Sequence, residues 1–143
     1  MRKLGLFAAV VLVCLASQAS AGDKVWSVPG VINNLLASGF SCTNGGTAAA
    51  TVTVALFDAT GAASGTGMAS IAVNGTVNFV TKPITALPGA TLVGSNPTLM
   101  PGSATITAPS GVFCTAFVSD PGSDPPTVMR SLPVIAKNKQ RGD

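Results

Sequence analysis

The sequence predicts an all-β protein, a two-sheet antiparallel sandwich of about seven strands that contains one disulfide and follows a cleaved signal peptide. Three observations predict it. Apolar and polar residues alternate with a period of two along much of the chain. Turn-forming residues recur about every ten residues. Two cysteines remain once the N-terminal segment is set aside. No internal repeat or linker divides the chain, so one domain is expected.

The first 21 residues have the pattern of a secretory signal peptide. Arg2 and Lys3 precede a 13-residue apolar segment, residues 4–16, and the small residues Ala19 and Ala21 place the cleavage after Ala21. A transmembrane anchor is the competing interpretation, but a spanning helix needs about 20 apolar residues. We therefore expect a chain exported to the periplasm, the cell surface or the medium, with no stable membrane span after cleavage.

The charge of the chain belongs mostly to its two ends. Removing residues 1–21 lowers Lys+Arg from 8 to 6 against five Asp, so the net charge falls from +3 to +1. Three of the six basic residues lie in the tail, 137–143, and the predicted β-sandwich domain, 22–136, keeps a net charge of −1. Nucleic-acid binding needs a clustered basic surface. The sequence therefore predicts no nucleic-acid partner.

The central strands are the clearest. Ala50–Phe57 alternates Val52, Val54 and Leu56 with threonines, and 58–61 ("DATG") ends it as a turn. Residues 69–81 form two alternating stretches around the tight-turn pair Asn74-Gly75. Two further strands are predicted at 103–108 and 112–119.

The ends of the domain are less regular. Two strands are expected at 25–31 and 39–43, joined by a segment long enough for one helical turn at most. Residues 82–102 read as a long connection with a short irregular strand at "ATLVG". The last strand, 128–136, contains Pro133, which indicates an edge or bulged position.

Cys42 and Cys114 are predicted to form a disulfide. Cys14 is removed with the signal peptide, and an even number of cysteines in an exported chain favours a bridge. Cys42 shares a face with Phe40, and Cys114 shares one with Val112, so both side chains are expected to point between the two sheets. The bridge would stabilise the fold by about 4 kcal/mol on the chain-entropy argument.

The segment "SDPGSDPP" carries two aspartates, Asp120 and Asp124. Asp beside Pro, Gly and Ser is typical of turns, where the carboxylate accepts bonds from nearby backbone. Two carboxylates, hydroxyls and carbonyls are also calcium ligands, which makes Asp120 and Asp124 secondary calcium candidates. We otherwise expect no metal and no cofactor.

Catalytic patterns are missing from the sequence. It contains no His, no Glu and no Tyr, so the usual general base and commonest metal ligand are absent. No G-x-S-x-G motif occurs. We therefore expect that the protein is not an enzyme.

Four segments carry a resemblance to known proteins. "FSCTN", "VTVALFDATG", "VNGTVNFVT" and "VFCTAFVSD", within residues 40–136, resemble small uncharacterised bacterial exported proteins with an immunoglobulin-like β-sandwich. Antibody-type domains have a Trp in a middle strand. In this sequence the single Trp lies near the mature N-terminus instead. The resemblance implies an exported domain without catalytic residues.

The expected function is a structural or interaction role in the periplasm or at the cell surface, exercised through sandwich edges and loops. One alternative is a surface-filament subunit that donates its apolar N-terminal strand, around Trp26 and Val31, to a neighbour. Another is a small carbohydrate- or ligand-binding module, although the chain has few aromatic residues for stacking on sugars. Protein partners or self-association are expected, and the sequence does not specify which.

Overall fold

The computed structural model describes residues 23–94 and 99–137. This part of the chain is all-β and contains no helix. Its ten strands are β1 (Lys24–Asn33), β2 (Ala37–Asn44), β3 (Ala50–Phe57), β4 (Ala63–Ile71), β5 (Thr76–Val80), β6 (Thr91–Leu92), β7 (Leu99–Ala108), β8 (Val112–Ser119), β9 (Met129–Leu132) and β10 (Ile135–Ala136). The signal peptide and its cleavage site at Ala21, Cys14, and tail residues 138–143 lie outside the described residues.

All ten strands belong to one hydrogen-bonded sheet. Its main path runs β4-β3-β7-β1-β2-β5-β6, while β8 pairs with β2 and β9, and β10 pairs with β1. Only the β5–β6 pair is parallel among the described strands. β1 and β2 share the single pair Asn33↔Ala37, so the sheet bends sharply there.

The two ends of this path approach each other. A Cβ atom added to Gly67 of β4 would lie 3.2 Å from Cγ2 of Val93, just after β6. A side chain at this position would press tightly on the neighbouring edge, and glycine permits the close approach. The sheet therefore curls into a nearly closed, barrel-like shape around its core.

The core follows from the period-2 alternation of the strands. Val52, Val54 and Leu56 of β3 are fully buried, as are Phe40 of β2 and Phe79 of β5. Their neighbours in sequence point outward, because successive side chains of a strand lie on opposite faces. A second, smaller cluster of Ala37, Val80 and Ile84 lies where residues 81–90 cover the outer face of β2 and β5.

The predicted final strand, 128–136, is two strands with different partners. β9 pairs with β8 as far as Leu132↔Ala116, whereas β10 pairs with β1 at Trp26↔Ala136. Pro133 lies between them, and without an N–H it cannot continue a ladder. The expectation of a single strand over 128–136, with Pro133 at an edge or bulged position, is therefore corrected to two short strands with different partners.

Other differences from the predicted elements are local. The connection between β1 and β2 makes a bend closed by the Asn34 N–H and the Leu36 carbonyl (3.1 Å), where one helical turn at most was expected. The Asn74 turn forms as predicted, with the Gly75 N–H bonded to the Ala72 carbonyl (2.9 Å). It links β4 and β5, which pair with β3 and β2 instead of with each other.

Within the described ranges, no helix has the length and apolar character to cross a membrane.

Candidate binding groove beside the disulfide

Cys42 and Cys114 form the predicted disulfide. They lie directly opposite each other on the adjacent strands β2 and β8, with Cα atoms 4.2 Å apart. The Cys42 side chain is buried in the core as expected, and Cys114 is partly exposed. The bridge therefore joins two neighbours of one ladder. It does not join two facing sheets.

The disulfide occupies a non-hydrogen-bonded position of the β2–β8 ladder. Gly45 N–H bonds to the Gly111 carbonyl at 2.9 Å, and hydrogen-bonded pairs alternate with non-hydrogen-bonded pairs from there. The short Cα separation at Cys42↔Cys114 agrees with this parity, since such pairs lie about 4.5 Å apart. The backbone N–H and C=O of Cys114 therefore point away from β2.

The opposite edge of β8 has a strand partner along only half of its length. β9 covers 116–119, and Asp120 N–H bonds to the Val128 carbonyl at 3.2 Å, which sets the parity of this ladder. If this ladder continued to Cys114, the N–H and C=O of Cys114 would face Val134. Pro133 has already turned the chain toward β1. In the described part of the chain, no strand pairs with this edge at 112–115.

β10 leaves a second backbone edge beside this one. Lys137 N–H bonds to the Val25 carbonyl at 2.8 Å, so Trp26↔Ala136 is a non-hydrogen-bonded pair of the β1–β10 ladder. The N–H and C=O of Ala136 therefore point away from β1. The separation of β8 from β10 leaves two strand edges close together near the disulfide.

A groove of about 420 Å³ lies between these edges, and we call it the β8–β10 groove. Its lining combines apolar side chains, one half of the disulfide and one cation: Lys24, Trp26, Val112, Phe113, Cys114, Val134 and Ala136. Phe113 is 69% exposed, and Trp26 is partly buried against the core. In the part of the chain that the structure describes, no carboxylate lines this groove.

The sequence did not reveal this groove. Cys114 was predicted as a bridging residue and Trp26 as part of an apolar first strand, but their proximity depends on β1 and β8 meeting across the C-terminal strands. Two signals pointed toward it. Pro133 indicated an edge or bulged position in the last strand, and Phe113 is apolar on the outward face of β8.

A second cavity, of about 340 Å³, lies at the far end of β1 and includes Asn33, Lys82, Leu92 and Val93 in its lining. The ammonium group of Lys82 donates to the Asn34 carbonyl beside it. Behind it, the Ser38 N–H donates to Thr81 Oγ1 (3.0 Å), whose hydroxyl donates to the Ile32 carbonyl (3.1 Å). These bonds tie the bend between β1 and β2 to the end of β5.

Asp120 organises the loop between β8 and β9. Its carboxylate accepts a 2.8 Å bond from the Val128 N–H. This bond, with smaller contributions from the side chains of Ser123 and Thr127, lowers the pKa of Asp120 below its ordinary value. Asp120 therefore acts as the turn residue that the sequence predicted.

Asp124, the other calcium candidate, is exposed in the same loop and precedes Pro125 through a cis peptide bond. Among the described residues, no three His, Cys, Asp or Glu side chains gather closely enough to hold a metal ion. The carboxylate of Asp120 is engaged by the loop itself.

Asn44 is a structural residue whose role the sequence did not indicate. Its buried amide donates to the carbonyls of Ala48 (2.8 Å) and Ile71 (3.0 Å) and accepts from the Gly46 N–H (2.9 Å). Its backbone bonds to Asn74 and Gly75. One side chain thus fixes the end of β2, the next loop and the end of β4 at one end of the barrel.

Comparison with known proteins gives little. No family model matches the chain, and no curated protein matches it. A solved structure described as "Structure of PfGH50B" is similar, with a TM-score of 0.42 and 14% identical residues. The match covers 82% of this chain but only 19% of that one. At this level of similarity it assigns neither a function nor a site.

Proposed function

We propose that the chain is an exported, non-catalytic interaction protein of the periplasm or cell surface that binds partners through its sheet edges and loops. The signal-peptide pattern, the disulfide and the resemblance to small bacterial exported domains support export. The immunoglobulin-like two-sheet sandwich stays part of this proposal. The bend at Asn33↔Ala37 is where one sheet would pass into the other.

The observation that carries the proposal is the β8–β10 groove with its exposed phenylalanine. A further large apolar side chain, Ile135 (54%), is exposed on the flanking strand β10. Concentrations of exposed apolar side chains around a groove mark interaction sites. Binding here needs no reacting group, in keeping with a chain that has no His or Glu.

The two alternatives have less support. For a filament subunit that donates its first strand, β1 would have to leave its pairing with β7, which extends from Lys24↔Ala108 to Asn33↔Leu99. For a carbohydrate-binding module, the single Trp is partly buried and no Tyr is present. Neither alternative is favoured by a specific contact.

Photo-crosslinking in the producing cells tests the proposal. We would replace Phe113 or Ile135 with a photoreactive phenylalanine analogue, using Thr51 on the exposed face of β3 as the matched control position. We expect discrete protein adducts from 113 and 135 in the periplasmic or surface fraction and none from 51. Adducts of equal yield at all three positions, absence of adducts, or a wholly cytoplasmic chain would contradict the proposal.

A further inference from the structure

We propose that the partner is an extended peptide segment that adds a strand to β8 in the β8–β10 groove and carries an acidic group next to Lys24. This inference rests on the proposed function, because it names the partner class of the same groove. Its first support is the backbone. Cys114 presents an N–H and a C=O that β9 would have paired had it continued past Leu132.

The free edge fits a short strand. Residues 112–115 offer about 10 Å of edge, since a strand rises about 3.3 Å per residue. The N–H of Val112 is already bonded to the Pro109 carbonyl (3.4 Å), which closes the far end of the edge. An incoming segment would therefore form its main-chain bonds with Cys114, and it would lie along β8 beyond the point where β9 ends.

The groove walls specify the side chains of that segment. Phe113 and Trp26 offer aromatic surface, and Val134 adds an aliphatic wall. Trp26 and Val134 pack against the core, whereas Phe113 lies on the outward face of β8. Since successive side chains of a strand alternate between faces, a segment with apolar residues at every second position would place these against Trp26 and Val134, and the residues between them beside Phe113.

The charge at the groove specifies the end of the segment. Lys24 is exposed, and among residues 23–94 and 99–137 no carboxylate lines the groove beside it. An Asp, a Glu or a C-terminal carboxylate of the partner would complement this cation, whereas a basic residue would be repelled. The edge is short, so the interaction is weak and transient by the usual relation of size to stability.

The experiment uses the processed, disulfide-bonded chain and a small panel of blocked peptides with alternating Thr and Val that end in Asp. Amide NMR and hydrogen exchange follow the Cys114 N–H. We expect binding at millimolar concentration, slowed exchange at Cys114, and affinity weakened about tenfold or more when the central amides of the peptide are N-methylated. A Lys-ended panel should bind several-fold more weakly.

Two variants and a matched control locate the site. Phe113→Ser should weaken binding about tenfold by removing apolar contact, and Lys24→Glu should reverse the preference between Asp- and Lys-ended peptides. Leu35→Ser removes a side chain that is 89% exposed at the opposite end of β1 and should change nothing. Unchanged folding of each variant is read from its amide spectrum.

Three results would overturn the inference: no panel member perturbs Cys114, N-methylated peptides bind equally well, or Leu35→Ser weakens binding as much as Phe113→Ser.

The proposed function fails separately. Crosslinks at position 113 without strand addition would leave an interaction protein with a different kind of partner. Strand addition in a chain that forms no crosslinks in cells would leave a groove that the cell does not use.

Discussion

The ring of Phe117 lies directly over Gly39 across the β2–β8 ladder. A methyl group added at Gly39 would lie 2.9 and 2.6 Å from the Cε1 and Cε2 atoms of the ring and closer still to Cζ. Glycine lets the ring lie on the backbone and join the cluster of Ala37, Val80 and Ile84 under residues 81–90. This contact fixes the position of a long connection that has no regular structure over most of its length.

We expect Gly39→Ala to lower the free energy of unfolding by about 1–3 kcal/mol, because the added methyl group displaces the Phe117 ring. Denaturant unfolding would measure this. In the Phe117→Ala background the same substitution should cost clearly less, since the obstructing ring is gone. Equal costs in the two backgrounds would show that the ring does not carry the effect.

Removing the disulfide should destabilise the protein by about 4 kcal/mol, since the bridge closes a long loop, with a sequence separation of 72 residues. We would compare the oxidised chain with the Cys42→Ala/Cys114→Ala variant by guanidinium unfolding. The reduced wild-type chain is the control and should be destabilised by a similar amount. A stability change under 1 kcal/mol would mean that the ladder alone constrains these strands.

Asn44→Ala should lower stability by about 2 kcal/mol, because it leaves the buried Ile71 carbonyl without the bond it accepts. Thermal or denaturant unfolding reports the loss, and hydrogen exchange should rise at the Gly46 N–H. Asn74→Gly is the matched control. Asn74 has φ 60°, a conformation that glycine adopts without strain. A larger loss for Asn74→Gly than for Asn44→Ala would contradict the assigned role.

The loop between β8 and β9 should loosen at low pH. Hydrogen bonding by Val128 favours the charged carboxylate of Asp120 and holds its pKa below the ordinary value. Its stabilisation is therefore present above about pH 4 and is lost as the pH falls through the folded-state pKa. Amide exchange at Val128, followed as the pH is lowered, measures this.

Asp120→Asn should abolish that pH dependence, whereas Asp124→Asn should preserve it. Since the carboxylate of Asp120 is bonded within the loop, we also expect Ca²⁺ to leave the amide signals of 120–128 unchanged. A calcium-dependent shift of these amide signals that is lost in each of the two variants would instead support a calcium site at Asp120 and Asp124.

The sequence predicts best where alternation is strong. β3 and β8 have the predicted limits, Ala50–Phe57 and Val112–Ser119, because their β-branched and apolar residues recur at every second position. The first half of β4 could not be predicted, because "ASGTGM" offers small residues with no apolar face. Gly67 is explained by the close neighbouring edge at Val93, which the local pattern does not contain.

Pairing partners are the main feature that the pattern leaves open. The two cysteines indicated a bridge, but only the ladder register places them side by side on adjacent strands. The groove exists because Pro133 sends one segment to two partners, and a proline in a strand is equally compatible with a bulge. The groove could therefore not be predicted from the sequence, because it depends on which strands pair with each other.

The position of β1 has a consequence for the order of folding. The first strand lies between β7 and β10, so Trp26 pairs with Ile106 and Ala136, near the far end of the described chain. Contacts between such distant residues form slowly, since a long loop must close first. A chain that passes through a translocation channel with its N-terminus leading would keep β1 unpaired until the late strands emerge. In a chain exported in this way, the topology would delay completion of the sheet until translocation has ended.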